Sequence, residues 1–389
     1  MKKQRSVLAV ILSLIVILLP CSAFSEGSDG DDLEDELLRQ IEGIDFSSWD
    51  EYFYDLSSFG IFDAGSVKEL VFTVADEGGA GDPASFFDSV LLLFKAELKK
   101  ASGAIALLCA YGFLTALSVI VPDDGIKRTV SAVLSASAVA AAVGMLLSLV
   151  STAETALAET GSLAEKTAPI ICASLTAVGS AASLSVFSPI LTLLSDGVIM
   201  VSERIVMPIV ILCGILSAVS VITEGERLDN AVSFLRKAIK WILGLVSTVY
   251  FGVVAVNGLT SAARDGVMIR TSKYALDKMV PVVGGMIGGT VDSVMGCALL
   301  IKNGIGTCAI LLLVFLIVRP MIVLAAGSFI FRVSAAVCGA VSDKRVVKLY
   351  KGCAETATNL FACVAVSGSM FLLTILAVIA SGGYAAGLW

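Results

Sequence analysis

GIGTCAILLLVFLIVRPMIVLAAGSFIF, residues 304–331, carries a single charge, Arg319, followed directly by Pro320. A helix rises about 1.5 Å per residue and a bilayer core is about 30 Å thick, so about 20 apolar residues cross it. This stretch is longer than that and has no polar face, so its solvent is lipid. Five further runs of the same character lie at 103–121, 129–151, 205–222, 241–262 and 360–381. The whole chain follows suit: of 389 residues 57% are hydrophobic and only 16% charged, and the mean hydropathy is +0.92. Globular domains are about 45–50% apolar and about 25% charged. The predicted fold class is all-α: a polytopic helical membrane protein with a small helical extracytoplasmic segment in front.

The charge is segregated. Residues 26–88 hold eighteen acids against Arg39 and Lys68, whereas 89–389 is mildly basic, and the sum is −7. Ahead of them, Lys2, Lys3 and Arg5 precede an apolar run at 7–19, then Pro20 and the small residues Ala23 and Ser25. That order is the layout of a secretory signal. The expected domains are a signal peptide at 1–25, an acidic extracytoplasmic segment at 26–88 and a transmembrane body at 89–389. An uncleaved anchor would leave the following residues on the same side.

In the acidic segment Leu33, Leu37, Leu38, Ile41 and Ile44 form an apolar stripe. Ser48-Trp49-Asp50-Glu51 and Ser66-Val67-Lys68-Glu69 read as capping boxes, the second followed by Leu70, Val71 and Val74 on one face. Gly78 to Gly81 reads as a hinge. Asp82-Pro83 then opens a helix expected to reach Lys100, lying in the membrane interface or packed on the bundle.

Two apolar segments, 169–195 and 281–301, are rich in small residues. The first has Gly179-Ser180 and Pro189; the second has Gly284, Gly285, Gly288, Gly289 and then Asp292. They also correspond. LAEKTAPIICA at 163–173 matches ALDKMVPVVGG at 275–285 with an offset of 112, pairing Lys166 with Lys278 and Pro169 with Pro281. The same offset carries Pro208 onto Pro320 and Arg236 onto Lys348. An internal repeat over about 154–262 and 266–381 is expected, with the small-residue segments as re-entrant or broken helices, or as ordinary spans whose small residues allow close packing. Basic residues favour the cytoplasmic side. With segments that turn back, 227–240 and 344–351 share that side; with segments that span, 227–240 changes sides.

Charges inside apolar stretches are costly and often functional. Here they are Asp196, Glu203, Arg204, Asp292, Lys302 and Arg319. Lys302 and Arg204 are expected to reach the headgroups. The candidate pore or packing residues are Lys166, Pro169, Asp196, Pro208, Lys278, Pro281, Gly284, Gly285, Gly288, Gly289, Asp292, Arg319 and Pro320. Histidine is absent, which removes the commonest general base and metal ligand. No HExxH, P-loop, GxSxG or CxxC occurs. An enzyme, a cofactor, a metal and a nucleic-acid partner are therefore not expected. Eight of the nine cysteines lie at or after Cys109, mostly in apolar runs, and read as small packing residues.

The stretch 273–303, KYALDKMVPVVGGMIGGTVDSVMGCALLIKN, resembles the signature region of the stage III sporulation protein AE family. Glu165 to Pro169, Met207-Pro208 and Arg319-Pro320 fit the same pattern. The resemblance implies a component of the channel or secretion-like complex that the mother cell builds in the membrane around the forespore, as a structural or conducting subunit. Its implied partners, besides lipid, are proteins of the same operon, including an ATPase and ring-forming proteins, a forespore membrane protein, and further copies of itself. No catalytic residue comes with the resemblance. From the residues alone, a self-sufficient carrier for a small solute and a non-conducting scaffold stand beside it.

Overall fold

The computed structural model describes residues 41, 43–50, 52–53, 65–77, 83–117, 124–178, 180–223, 226–279, 284–340 and 344–386. The expected signal peptide, the hinge glycines, Glu51 of the first capping box, Gly179 and Pro281 lie outside them. Among the described residues there is no strand. The helices are α1 (Val67–Glu77), α2 (Pro83–Leu117), α3 (Asp124–Ala177), α4 (Ala181–Thr192), α5 (Met207–Thr223), α6 (Glu226–Met279), α7 (Gly284–Cys338) and α8 (Lys344–Ala386). Between α4 and α5 the backbone stays helical but widens into two π turns, Leu193–Ile199 and Ser202–Val206. Pro208 follows the second directly. It has no N–H to return to the carbonyl one turn back, and a wider turn relieves the ring clash there.

Among the described residues six stretches are long and apolar enough to cross a membrane: Lys95–Leu117, Thr129–Ala177, Ser183–Ser220, Asn230–Val256, Gly296–Cys338 and Lys344–Ile379. Each of the six apolar runs read from the sequence falls in a separate one. The chain is a polytopic helical membrane protein.

Three expectations are corrected. The helix opening at Pro83 does not stop at Lys100; it continues to Leu117 as one element of 35 residues. Its two glycines, Gly103 and Gly112, stand apart among better helix formers, and each costs about 1 kcal/mol. The second small-residue segment is not interrupted either. From Gly284 onward it is the start of the 55-residue α7, with no break at Gly288-Gly289. Lys302 does not reach the headgroups, as described below. The first segment does break, between Ala177 and Ala181. The Ser180 N–H donates to the Leu175 carbonyl at 3.0 Å, and the Ser180 carbonyl accepts from Leu184 N–H at 2.9 Å. These two bonds close one helix and open the next. The chain reverses here: an added Cβ on Gly161 of α3 would sit 3.2 Å from Ile199.

At the centre lies the antiparallel hairpin of α7 and α8. Of their most apolar windows 50% and 56% are buried, against 22% for α6 on the periphery. Close approach is set by missing side chains. Gly306 lies under Ile379 and Gly368 under Ile317, while a Cβ on Gly327 would stand 2.5 Å from Leu149 of α3. In lipid, backbone proximity of this kind supplies the dispersion contact that holds helices together.

The register puts three connections at one end. Arg236 near the start of α6 hydrogen-bonds the Gly352 carbonyl near the start of α8 and Ser217 near the end of α5. The basic stretches around 227–240 and 344–351 therefore share an end, the arrangement expected of segments that turn back. Leu108 of α2 joins the same half, its carbonyl accepting from the Tyr350 hydroxyl at 2.9 Å.

Candidate functional site

At the opposite end the front segment is seated on the bundle. Ser47–Trp49 forms a 3-10 turn. Asp45 starts it: its carboxylate accepts the Ser47 N–H at 3.0 Å, and this bond holds the Asp45 carboxyl below its ordinary range. Ser48 lies inside this turn, and the capping box expected of it rests on Glu51, outside the described residues. The turn delivers Trp49 into the interior, fully buried. Its indole N–H donates to Thr167 of α3 at 3.2 Å, and Phe46 packs on it with ring centroids 5.9 Å apart. One residue before Thr167, the Lys166 ammonium lies 4.7 Å from the Tyr52 ring centroid, a cation–π contact. The second capping box forms as expected. The Ser66 hydroxyl accepts the Glu69 N–H at 3.2 Å, and the Glu69 carboxylate accepts the Gly65 N–H at 2.6 Å. Val67, Leu70, Val71 and Val74 of α1 are buried, with α1 packed on α7.

Inside the bundle, polar groups tie helix to helix in pairs. Ser202 in the second π turn meets Ser367 of α8 at 3.1 Å. Tyr250 of α6 meets Thr374 of α8 at 2.6 Å. Ser328 of α7 meets Thr358 of α8 at 2.9 Å, and the Arg332 guanidinium donates to both. Each pair satisfies two groups that would be costly alone in an apolar medium. Serine, threonine and tyrosine scattered through apolar runs gave no sequence signal for this, because a single hydroxyl has no recognisable spacing.

Two further cations belong to this network. Lys302 is buried to 1% exposure, and its ammonium donates to the Ile379 carbonyl of α8 at 2.9 Å. It fastens the far ends of α7 and α8. Because a buried cation is rarely a net source of stability, Lys302→Met should accumulate in membranes at near wild-type level and melt within about 1 kcal/mol of it in detergent. A severe loss of protein would show the ammonium to be structurally required. The second cation, Arg236, pairs with Glu355 of α8. The offset of the repeat drew attention to its position but not to this partner.

The remaining sequence candidates are distributed rather than gathered. Pro169 is exposed within α3, Pro208 is exposed at the start of α5, and Arg319 is exposed beside the buried Pro320 in α7. Asp196 falls in the first π turn. Lys278 stands one residue before the end of α6. Gly284, Gly285, Gly288, Gly289 and Asp292 occupy the first turns of α7. Arg204 is exposed. Cys109, Cys213, Cys297, Cys308, Cys338, Cys353 and Cys363 are buried free thiols, consistent with packing.

With this architecture in view, three comparisons identify the lineage. The family model described as stage III sporulation protein AE matches residues 66–382, from the second capping box to the last turns of α8. Stage III sporulation protein AE of Bacillus subtilis (strain 168) is 29% identical over 214 residues, which is 55% of this chain and 54% of that protein. The aligned region thus spans about half the length of the curated relative. No solved structure matches. Since the family match takes in α1 through α8, the chain belongs to the stage III sporulation protein AE family.

Proposed function

We propose that this chain is a membrane subunit of the complex joining mother cell and forespore during endospore development, and that its part there is structural. Family membership supports the sporulation role. Arg319 supports the word subunit and carries the proposal. It is exposed and lies thirteen residues, or about 20 Å of helix, from Arg332, deep in the Gly296–Cys338 span. A guanidinium facing lipid there costs about 2.5–3.5 kcal/mol, so a neighbouring chain covers it in the assembled state. That neighbour is another copy, another protein of the same operon, which includes an ATPase and ring-forming proteins, or a forespore membrane partner. The close seam of α3, α7 and α8 favours a structural part over a carrier that works alone; a conducting path would run between subunits. By the positive-inside rule the end bearing Arg236 and Lys344 faces the mother-cell cytoplasm. The acidic front segment then faces the space between the two membranes.

Deleting the gene should leave vegetative growth unchanged and halt spore development after engulfment. Complementation with Arg319→Leu should restore protein level but not spore yield, and copies carrying two different tags should no longer co-purify with each other or with operon proteins. Full spore yield from Arg319→Leu would remove the guanidinium from the assembly. Solute uptake by vesicles holding this chain alone, lost in Asp292→Ala, would establish the carrier instead.

A further inference from the structure

A cavity of about 430 Å³ lies between α5, α6 and α8 at the basic end of the bundle. Its volume is in the range of about 300–1,000 Å³ typical of small-molecule pockets. Lys344, Lys348, Lys351 and Glu355 of α8 line it, together with Arg236 of α6 and Ser217 of α5. The lysines are spaced by four and three residues, so they share one face of α8. Four of the described lining residues are basic and one, Glu355, is acidic, and Glu355 pairs with Arg236. The Arg236 guanidinium also reaches Ser217 Oγ at 3.1 Å and the Gly352 carbonyl at 3.4 Å, and its Nε is buried without a hydrogen-bond partner. Lys344, the first residue of α8, is part of the lining. A helix start presents unpaired N–H groups and favours negative charge.

The depth of the cavity identifies the source of that charge. On α6, Phe234 and Trp241 are 70% and 75% exposed on either side of Arg236, and Lys237 and Lys240 are exposed among them. Aromatic rings interleaved with lysines mark the headgroup level of a bilayer. We propose that this cavity binds the phosphodiester headgroup of an anionic phospholipid. The three lysines select against zwitterionic headgroups, whose own ammonium they repel. The Arg236–Glu355 pair holds α6 against α8 and so keeps the cavity open.

The test uses the full-length protein in nanodiscs of phosphatidylcholine with a minor fraction of phosphatidylglycerol, followed by native mass spectrometry of retained lipid. Wild type should retain phosphatidylglycerol in preference to phosphatidylcholine. K344Q/K348Q/K351Q should lose that retention at least about tenfold. K344R/K348R/K351R should keep it, and so should K95Q/K99Q/K100Q, which removes three exposed lysines of α2. If the glutamine triple does not accumulate, the single variants K344Q and K351Q should each lower retention severalfold. Undiminished retention in the glutamine variants would overturn the site. Binding of inorganic phosphate with no preference among lipids would overturn the lipid assignment and leave a soluble anion as the ligand.

Discussion

Gly368→Leu should abolish accumulation of the protein in the membrane, while Gly244→Leu should leave it unchanged. Both glycines sit in the middle of long helices in apolar windows, and their sequence surroundings do not separate them. Their neighbours do. Gly368 of α8 lies under Ile317 of α7, at a distance no Cβ tolerates, whereas nothing stands within 4 Å of a Cβ at Gly244 of α6. Adding even small groups to a packed interior costs about 1–3 kcal/mol. A leucine at Gly368 would have to drive α7 and α8 apart along the most buried contact of the bundle. Each of the four carbons a leucine adds meets that crowding, so the total loss approaches a net stability of about 5–15 kcal/mol and removes the folded population. Immunoblots of membrane fractions and melting in detergent measure both variants. Equal accumulation of the two would mean that the α7–α8 seam is looser than its geometry.

Trp49→Ala should free the front segment from the bundle without unfolding the bundle. Truncating a buried tryptophan costs about 3–5 kcal/mol. Here the loss falls on a short unit whose described apolar anchors are few: Ile41, Ile44, Phe46, Trp49 and Phe53. Hydrogen exchange over residues 43–50 should rise to the rate of an open chain, and protease added on that side should cut there, while α7 and α8 keep their protection. Trp49→Phe retains the apolar burial and gives up only the hydrogen bond to Thr167, a loss of about 1 kcal/mol. It should stay docked, as should Thr167→Val. If exchange in Trp49→Ala matches wild type, the anchor lies elsewhere. Spore yield of Trp49→Ala then reports whether docking itself matters.

The helices were legible because composition leaves them no alternative in lipid, and the six apolar runs each became a separate stretch of the bundle. Capping chemistry was legible where it is local, as at Ser66 and Glu69. Glycine was the least legible residue. Gly284 to Gly289 looked like a break and continue a helix, whereas Gly306, Gly327 and Gly368, which drew no notice, set how near the helices come. The difference lies in what stands opposite a glycine, which one chain's sequence does not state. The site followed the same rule. Lys166 was singled out by its motif and proved to hold Tyr52, but Thr167 beside it, the partner of Trp49, is an ordinary threonine in sequence. Arg236 and Lys348 were visible as a pair related by repeat, yet their shared cavity exists only because α5, α6 and α8 converge.

The helix packed at the middle of this bundle, α8, is made after every helix that leans on it. During synthesis α3, α5 and α6 enter the bilayer before the helix they all share, so the faces that meet α8 are wetted by lipid tails until it arrives. Ser202, Tyr250 and Arg236 must wait for Ser367, Thr374 and Glu355. The bundle therefore closes once, late, in a single event. A chain stopped before α8 has membrane helices but no common interior, and membrane quality-control proteases would clear it.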